Sequence, residues 1–147
     1  LPPVQFDTEA VWFAAPQAIV DELDPAQLLG ALHAAEHGMI AMLPLLAMCD
    51  RWDIGGLSID WHEAFDDGPG IFIYDGHPGG IGIAQQGARS FTQWVGSTRD
   101  AIADCPCEQG CPSCVQSPKC GNLNDPLDKA GAVRVLEALI DLGGDAG

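Results

Sequence analysis

Positive charge is scarce in this chain. Its 147 residues carry 6 Lys and Arg against 21 Asp and Glu, a formal net charge of −15. A surface of that sign repels phosphate, which argues against sequence-independent nucleic-acid binding by the chain alone. Apolar runs are interrupted well before 18 residues, so no membrane span is expected. No GxxxxGK[ST] motif occurs, which removes the phosphate-cradling loop of ATPases. The glycine-rich stretch from Asp75 to Gly82 invites a dinucleotide reading, but the third glycine of that fingerprint would fall on Gln85. Its glycines are read instead as sharp turns packed against a central helix. No secretory leader is visible, so disulfide-forming surroundings are not indicated and a cytoplasmic location is expected. The chain opens at Leu1-Pro2-Pro3 rather than at methionine, which suggests a piece of a longer protein. Its length suits one domain over 1–147 with a real core.

Cysteine is concentrated in one place. Five of the six fall within Cys105 to Gly121, among three prolines and two glycines. Such a stretch is neither helix nor central strand, and needs something other than a core to hold it. Thiolates converging on one ion would do so. The best four-ligand set is Cys107, Cys111, Cys114 and Cys120, built around the chelating pair Cys111-x-x-Cys114. They would form a closed tetrahedral site with bonds of about 2.3 Å, hence one structural Zn2+ per chain. Cys105 is the alternative ligand, since Cys-x-Cys beside a proline leaves little room for both sulfurs to turn inward. An iron–sulfur cluster also takes four cysteines. Disulfides or free thiols complete the alternatives. Cys49 lies in an apolar helical context and reads as a small core residue.

The other organising segment is helical. Asp24-Pro25 combines a cap with a first-turn proline, and the helix runs to about Met42, with Pro44 kinking or restarting it before Cys49. Leu28, Leu32, Ala35, Met39 and Leu43 share one face, and Gly30, Ala31, Ala34, Gly38 and Ala41 line the other. Glu36 is the sole Asp, Glu, Lys or Arg between Pro25 and Cys49. A helix apolar or small all round is buried on every side. His33, Glu36 and His37 therefore need partners there. Their order, His-x-x-Glu-His, is that of inverzincin metalloproteases, and a metal-dependent hydrolase is the alternative function. The preferred reading is a buried polar cluster bonded internally or to loop backbone, joined by His77.

Around this helix, residues 4–13 read as a strand through Val4, Phe6, Ala10 and Trp12, and Ala14–Leu23 as a short helix. Leu57–Trp61 and Ile71–Tyr74 read as a hairpin, the second strand covered on both faces. Ile81–Gly87 and Phe91–Ala103 are expected as helices. Asp125-Pro126 would start a last helix over Leu127–Leu142, ended by Gly143-Gly144. The fold class is α+β: a buried central helix, a small antiparallel sheet, surrounding helices and a zinc knuckle over 105–121.

The run CPCEQGCPSCVQSPKCGNLNDPLDK, together with LHAAEHGMIAMLPL, CDRWDIGG and FIYDGHPGGIGIA, closely resembles the C-terminal zinc-binding domain of superfamily-two DNA helicases of the MrfA and SftH kind. The resemblance spans about Thr8 to Leu142. It implies an upstream ATP-driven 3′-to-5′ helicase core in the same polypeptide, acting in bacterial DNA repair, with this domain as a non-catalytic module that positions that core and its strand path. It also implies zinc on four cysteines, carried here onto Cys107, Cys111, Cys114 and Cys120. DNA would be met only through the parent protein.

Overall fold

Helix α2 (Pro25–Ala47) forms the axis of the computed structural model, which describes residues 8–65, 67–112, 114–118, 120 and 124–146, with side chains described up to residue 142. Asp24 caps it: its carboxylate accepts from the Gln27 amide, and the Gln27 side chain reaches back to the Asp24 amide. That reciprocal pair satisfies donors the first turn cannot bond internally. Replacing Asp24 with alanine should cost about 1 kcal/mol, read as a shift in the urea unfolding midpoint with unchanged slope. Pro44 does not restart the helix, which runs on to Ala47 and ends at Met48 in the left-handed region.

The predicted face is the buried face. Leu32, Ala35, Met39 and Leu43 are fully covered, and so are the opposite Ala31 and Ala34. Small residues there let other helices come close. Gly38 lies against Thr98 and Ile102 of α4 (Phe91–Asp104), and Gly30 against Asp128, just ahead of α5 (Lys129–Ala146). Trp94 of α4 is wholly buried, and its indole N–H donates to the Met39 carbonyl at 2.8 Å. By length and composition α2 could cross a membrane, but its most apolar window is 72% buried within this fold.

The remaining helices are short: α1 (Gln17–Glu22) and α3 (Ile83–Arg89). Three antiparallel strands, β1 (Ala10–Ala14), β2 (Ile54–His62) and β3 (Gly68–Asp75), form a sheet in the order β1-β3-β2. The continuous apolar run in β3 is explained by its central place. Residues 4–7 of the expected first strand lie outside the described residues. Within β1 the phase is the reverse of that expected: Trp12 is exposed, while Val11 and Phe13 pack on the core. The same reversal holds in β2, where Leu57 and Trp61 face out. The cause lies in the inward positions Gly56 and Ser58. A Cβ on Gly56 would sit 2.8 Å from the Glu36 carboxylate and 2.7 Å from Ile40, so only a residue without one lets β2 lie this close to α2. Trp12, Phe72 and Leu57 consequently align across the outer face in register.

Asp75, at the end of β3, is fully buried. Its carboxylate accepts from the amides of Ile81 (2.6 Å), Ala84 (2.7 Å) and Ile83 (3.3 Å), and so anchors the start of α3. Gly79, Gly80 and Gly82 turn the intervening loop with positive φ, and Gly80 lies against Glu9 rather than against the central helix. The last helix also differs from expectation at both ends. It begins at Lys129 with Asp128 as its cap, whose carboxylate accepts from Gly131 at 2.8 Å, and it continues through Gly143 and Gly144. Asp128 competes successfully because its amide also donates to the Gly30 carbonyl of α2 at 3.0 Å.

Candidate metal centre

Helix α4 ends at Cys105, whose amide still donates to Ile102. The chain then turns tightly. The amides of Cys114 and Gln116 both donate to the Cys111 carbonyl, at 3.0 and 3.1 Å. Gly110 takes a φ of +119°, and a Cβ there would press within 2.6 Å of Val115. These turns bring four sulfurs together: Cys105–Cys107 at 3.6 Å, Cys105–Cys111 at 3.5 Å, Cys107–Cys114 at 3.4 Å and Cys111–Cys114 at 3.8 Å. A regular tetrahedron with metal–sulfur bonds of about 2.3 Å has edges of about 3.8 Å. The set fits one zinc ion. The separations are far too long for a disulfide of about 2.05 Å. They also leave no room among the sulfurs for a core of several irons.

Cys107, Cys111 and Cys114 thus meet as expected from their spacing, but their fourth neighbour is Cys105, not Cys120. Proline at 106 does not turn the two sulfurs apart: leaving α4 in extended conformation, the chain presents both to the same point. Cys120 stands instead beside α2, its sulfur 3.4 Å from Nε2 of His33.

Lys129, the first residue of α5, closes the knuckle from behind. Its ammonium donates to the carbonyls of Cys105 and Cys107 and lies 3.2 Å from the Cys107 sulfur. Burial opposes ionisation of the Cys107 thiol. The hydrogen bonds from Lys129 and the neighbouring cysteines outweigh it and bring the group down to about 6. Burial dominates at Cys114 and pushes it up to about 12. A divalent cation would relieve that contrast by taking all four as thiolates. The centre ties the end of α4 to the start of α5 through sulfur and through a lysine that sequence reading did not single out. The lysine's place immediately after Leu127-Asp128 was the available signal.

The second polar group lies on α2. His33 and His37 stack edge to face with ring centroids 4.3 Å apart. Nδ1 of His33 donates to the Pro126 carbonyl and Nδ1 of His37 to the Val115 carbonyl, each at 2.7 Å. Burial, helped by the charges of His33 and Arg51, takes His37 down to about 4, so its ring is neutral at pH 7. Burial likewise raises the Glu36 carboxyl to about 7, against hydrogen bonds from Ser58. All three residues line a cavity of about 370 Å³ with Tyr74, Ser117 and Cys120. His77 is not among them. It pairs with Asp53 at 2.9 Å and is partly exposed, because Ile54 and Asp75 are register partners and the residues just beyond them meet at the end of the β2–β3 pair.

A closed four-sulfur knuckle on an α+β scaffold threaded by a buried helix defines a zinc-binding domain. The chain belongs to the MrfA Zn-binding domain family, whose profile matches residues 35–115, a span holding all four clustered cysteines and excluding Cys120. It is 38% identical over 111 residues to uncharacterized protein MJ1572.1 of Methanocaldococcus jannaschii, covering 74% of this chain and 99% of that one. It is 34% identical over 118 residues to the ATP-dependent helicase YprA of Bacillus subtilis, covering 78% of this chain but 15% of the helicase. The crystal structure of DUF1998 helicase MrfA bound to DNA superposes with a TM-score of 0.75 at 27% identity, over 95% of this chain and 18% of that one. The family is therefore a helicase-associated one, and this chain spans only 14 to 18% of the length of the helicases it matches.

Proposed function

We propose that the chain is the non-catalytic zinc module of an ATP-dependent, 3′-to-5′ superfamily-two DNA helicase of the bacterial cytoplasm that acts in DNA repair. The observation that carries this reading is the four-sulfur centre with Lys129. Its four sulfurs make a closed set with no open position for water, and with Lys129 it joins the end of α4 to the start of α5. The module keeps the helicase core and its strand path in position. DNA is met by the rest of the polypeptide, in keeping with a net charge of −15. The outer sheet face, with Trp12 and Trp61 more than half exposed, is the surface offered to the motor.

The test is strand separation by the polypeptide that carries this module. Cys111→Ser with Cys114→Ser should lower unwinding more than about tenfold, an effective barrier of about 1.4 kcal/mol or more. The isolated chain should neither hydrolyse ATP nor hold duplex DNA at physiological salt. Undiminished unwinding by a zinc-free variant would overturn the reading. A metal-dependent hydrolase centred on His33, Glu36 and His37 is the second reading, favoured by the cavity all three line. Substrate turnover by the isolated chain would put it first.

A further inference from the structure

We infer that His33, His37 and Cys120 form a second metal site, for a zinc-class divalent ion, distinct from the four-sulfur knuckle. One ligand atom from each of the three lies within 4.8 Å of the other two, and the His33 Nε2–Cys120 sulfur separation is 3.4 Å. The histidines are one helical turn apart on a buried helix, so backbone geometry fixes their rings side by side. Their outward nitrogens are already committed. Each Nδ1 donates to a loop carbonyl at 2.7 Å, Pro126 for His33 and Val115 for His37. That bond sets the tautomer with the proton on Nδ1 and leaves an Nε2 lone pair to accept, which in His33 meets the Cys120 thiol and could serve a metal once that thiol ionises. It is the arrangement found behind metal-bound imidazole, where a carbonyl or carboxylate holds the far nitrogen.

The donor set is two imidazoles and one thiolate. Three protein ligands of nitrogen and sulfur suit zinc and leave a fourth position open. His33, His37 and Cys120 all line the 370 Å³ cavity, together with Glu36, Ser58, Tyr74 and Ser117, so an ion held by them would be reached from it. The knuckle's four sulfurs already fill a tetrahedral set. The two centres therefore differ in kind, one closed and one able to accept water or a small anionic or thiol ligand. They are also linked, since Val115, which fixes His37, directly follows the knuckle ligand Cys114.

The chain purified from zinc-supplemented cells and dialysed against buffered nanomolar zinc should hold about two equivalents of zinc. His33→Asn and Cys120→Ser should each hold about one, with the four-thiolate charge-transfer band of the cobalt form unchanged and far-UV circular dichroism as in the parent chain. One equivalent in the unaltered chain overturns the proposal. So do two equivalents that both survive the variants. Should the variants fail to fold, cobalt titration of the unaltered chain decides. A second transition with a single-thiolate band, absent after alkylation of Cys120, supports the site, and its absence overturns it.

Discussion

Serine at Cys111 and Cys114 together should empty the four-sulfur centre and cost about 3–5 kcal/mol of stability. Structural zinc contributes about 10–16 kcal/mol in isolated zinc-finger peptides, which have almost no core without it. This chain has a core of its own around α2, with Leu32, Met39, Leu43 and Trp94 fully buried, so the loss is expected to be smaller. It is still a large share of the about 5–15 kcal/mol that separates a domain from its unfolded state. Urea unfolding with parallel elemental analysis measures both quantities. The four-thiolate cobalt band also reports on the choice of fourth ligand. It should vanish in Cys105→Ser and persist in Cys120→Ser. The opposite pair of results would mean that the sulfurs are arranged otherwise than in this structure.

Asp75→Ala should cost about 3–5 kcal/mol with no metal lost. The carboxylate satisfies three amides at once, and two of them, those of Ile83 and Ala84, belong to buried residues. Each buried donor left without a partner costs about 1–3 kcal/mol, and a cavity the size of a carboxyl group cannot supply water to all three. Asp75→Asn should fall between, since its carbonyl oxygen can serve one or two of them. Amide hydrogen exchange at Ile81, Ile83 and Ala84 localises the effect. A variant as stable as the parent, with those amides still protected, would show that α3 is held by packing alone.

Asp75 also illustrates what sequence conveys and what it hides. An aspartate before a glycine loop looks like any turn former, and its value lies in amides six to nine residues away that the loop folds back onto it. Helix α2 was legible because its evidence is local: a cap, a first-turn proline and a face of apolar residues at helical spacing. Pro44 does not end α2, because the helices packed on it cover the turn where an isolated helix would break. The sheet was legible as strands but not as faces. Alternation says that two sides differ, not which side a neighbouring helix will choose, and at Gly56 and Ser58 the small side won. Cysteine spacing pointed to a metal centre. It could not separate Cys105 from Cys120, since that choice depends on how the chain leaves α4 and on a histidine 87 positions earlier. His77 was misplaced for a like reason: its partner Asp53 lies 24 positions earlier and meets it only through the pairing of β2 with β3.

The order of synthesis acts on α2 in a way the finished fold conceals. Its covering helices, α4 and α5, emerge only after residues 91 and 129, whereas the knuckle ligands all fall within ten consecutive residues. A short loop closes at little entropic cost, so the ion can be captured almost as soon as the sulfurs leave the ribosome. Helix α2, as apolar as a bilayer-crossing segment, waits about 45 residues for α4 and about 80 for α5, on the order of ten seconds for the second at common elongation rates. Over that interval its apolar surface is exposed to aggregation, and slowing translation downstream of Ala47 should lower the soluble yield.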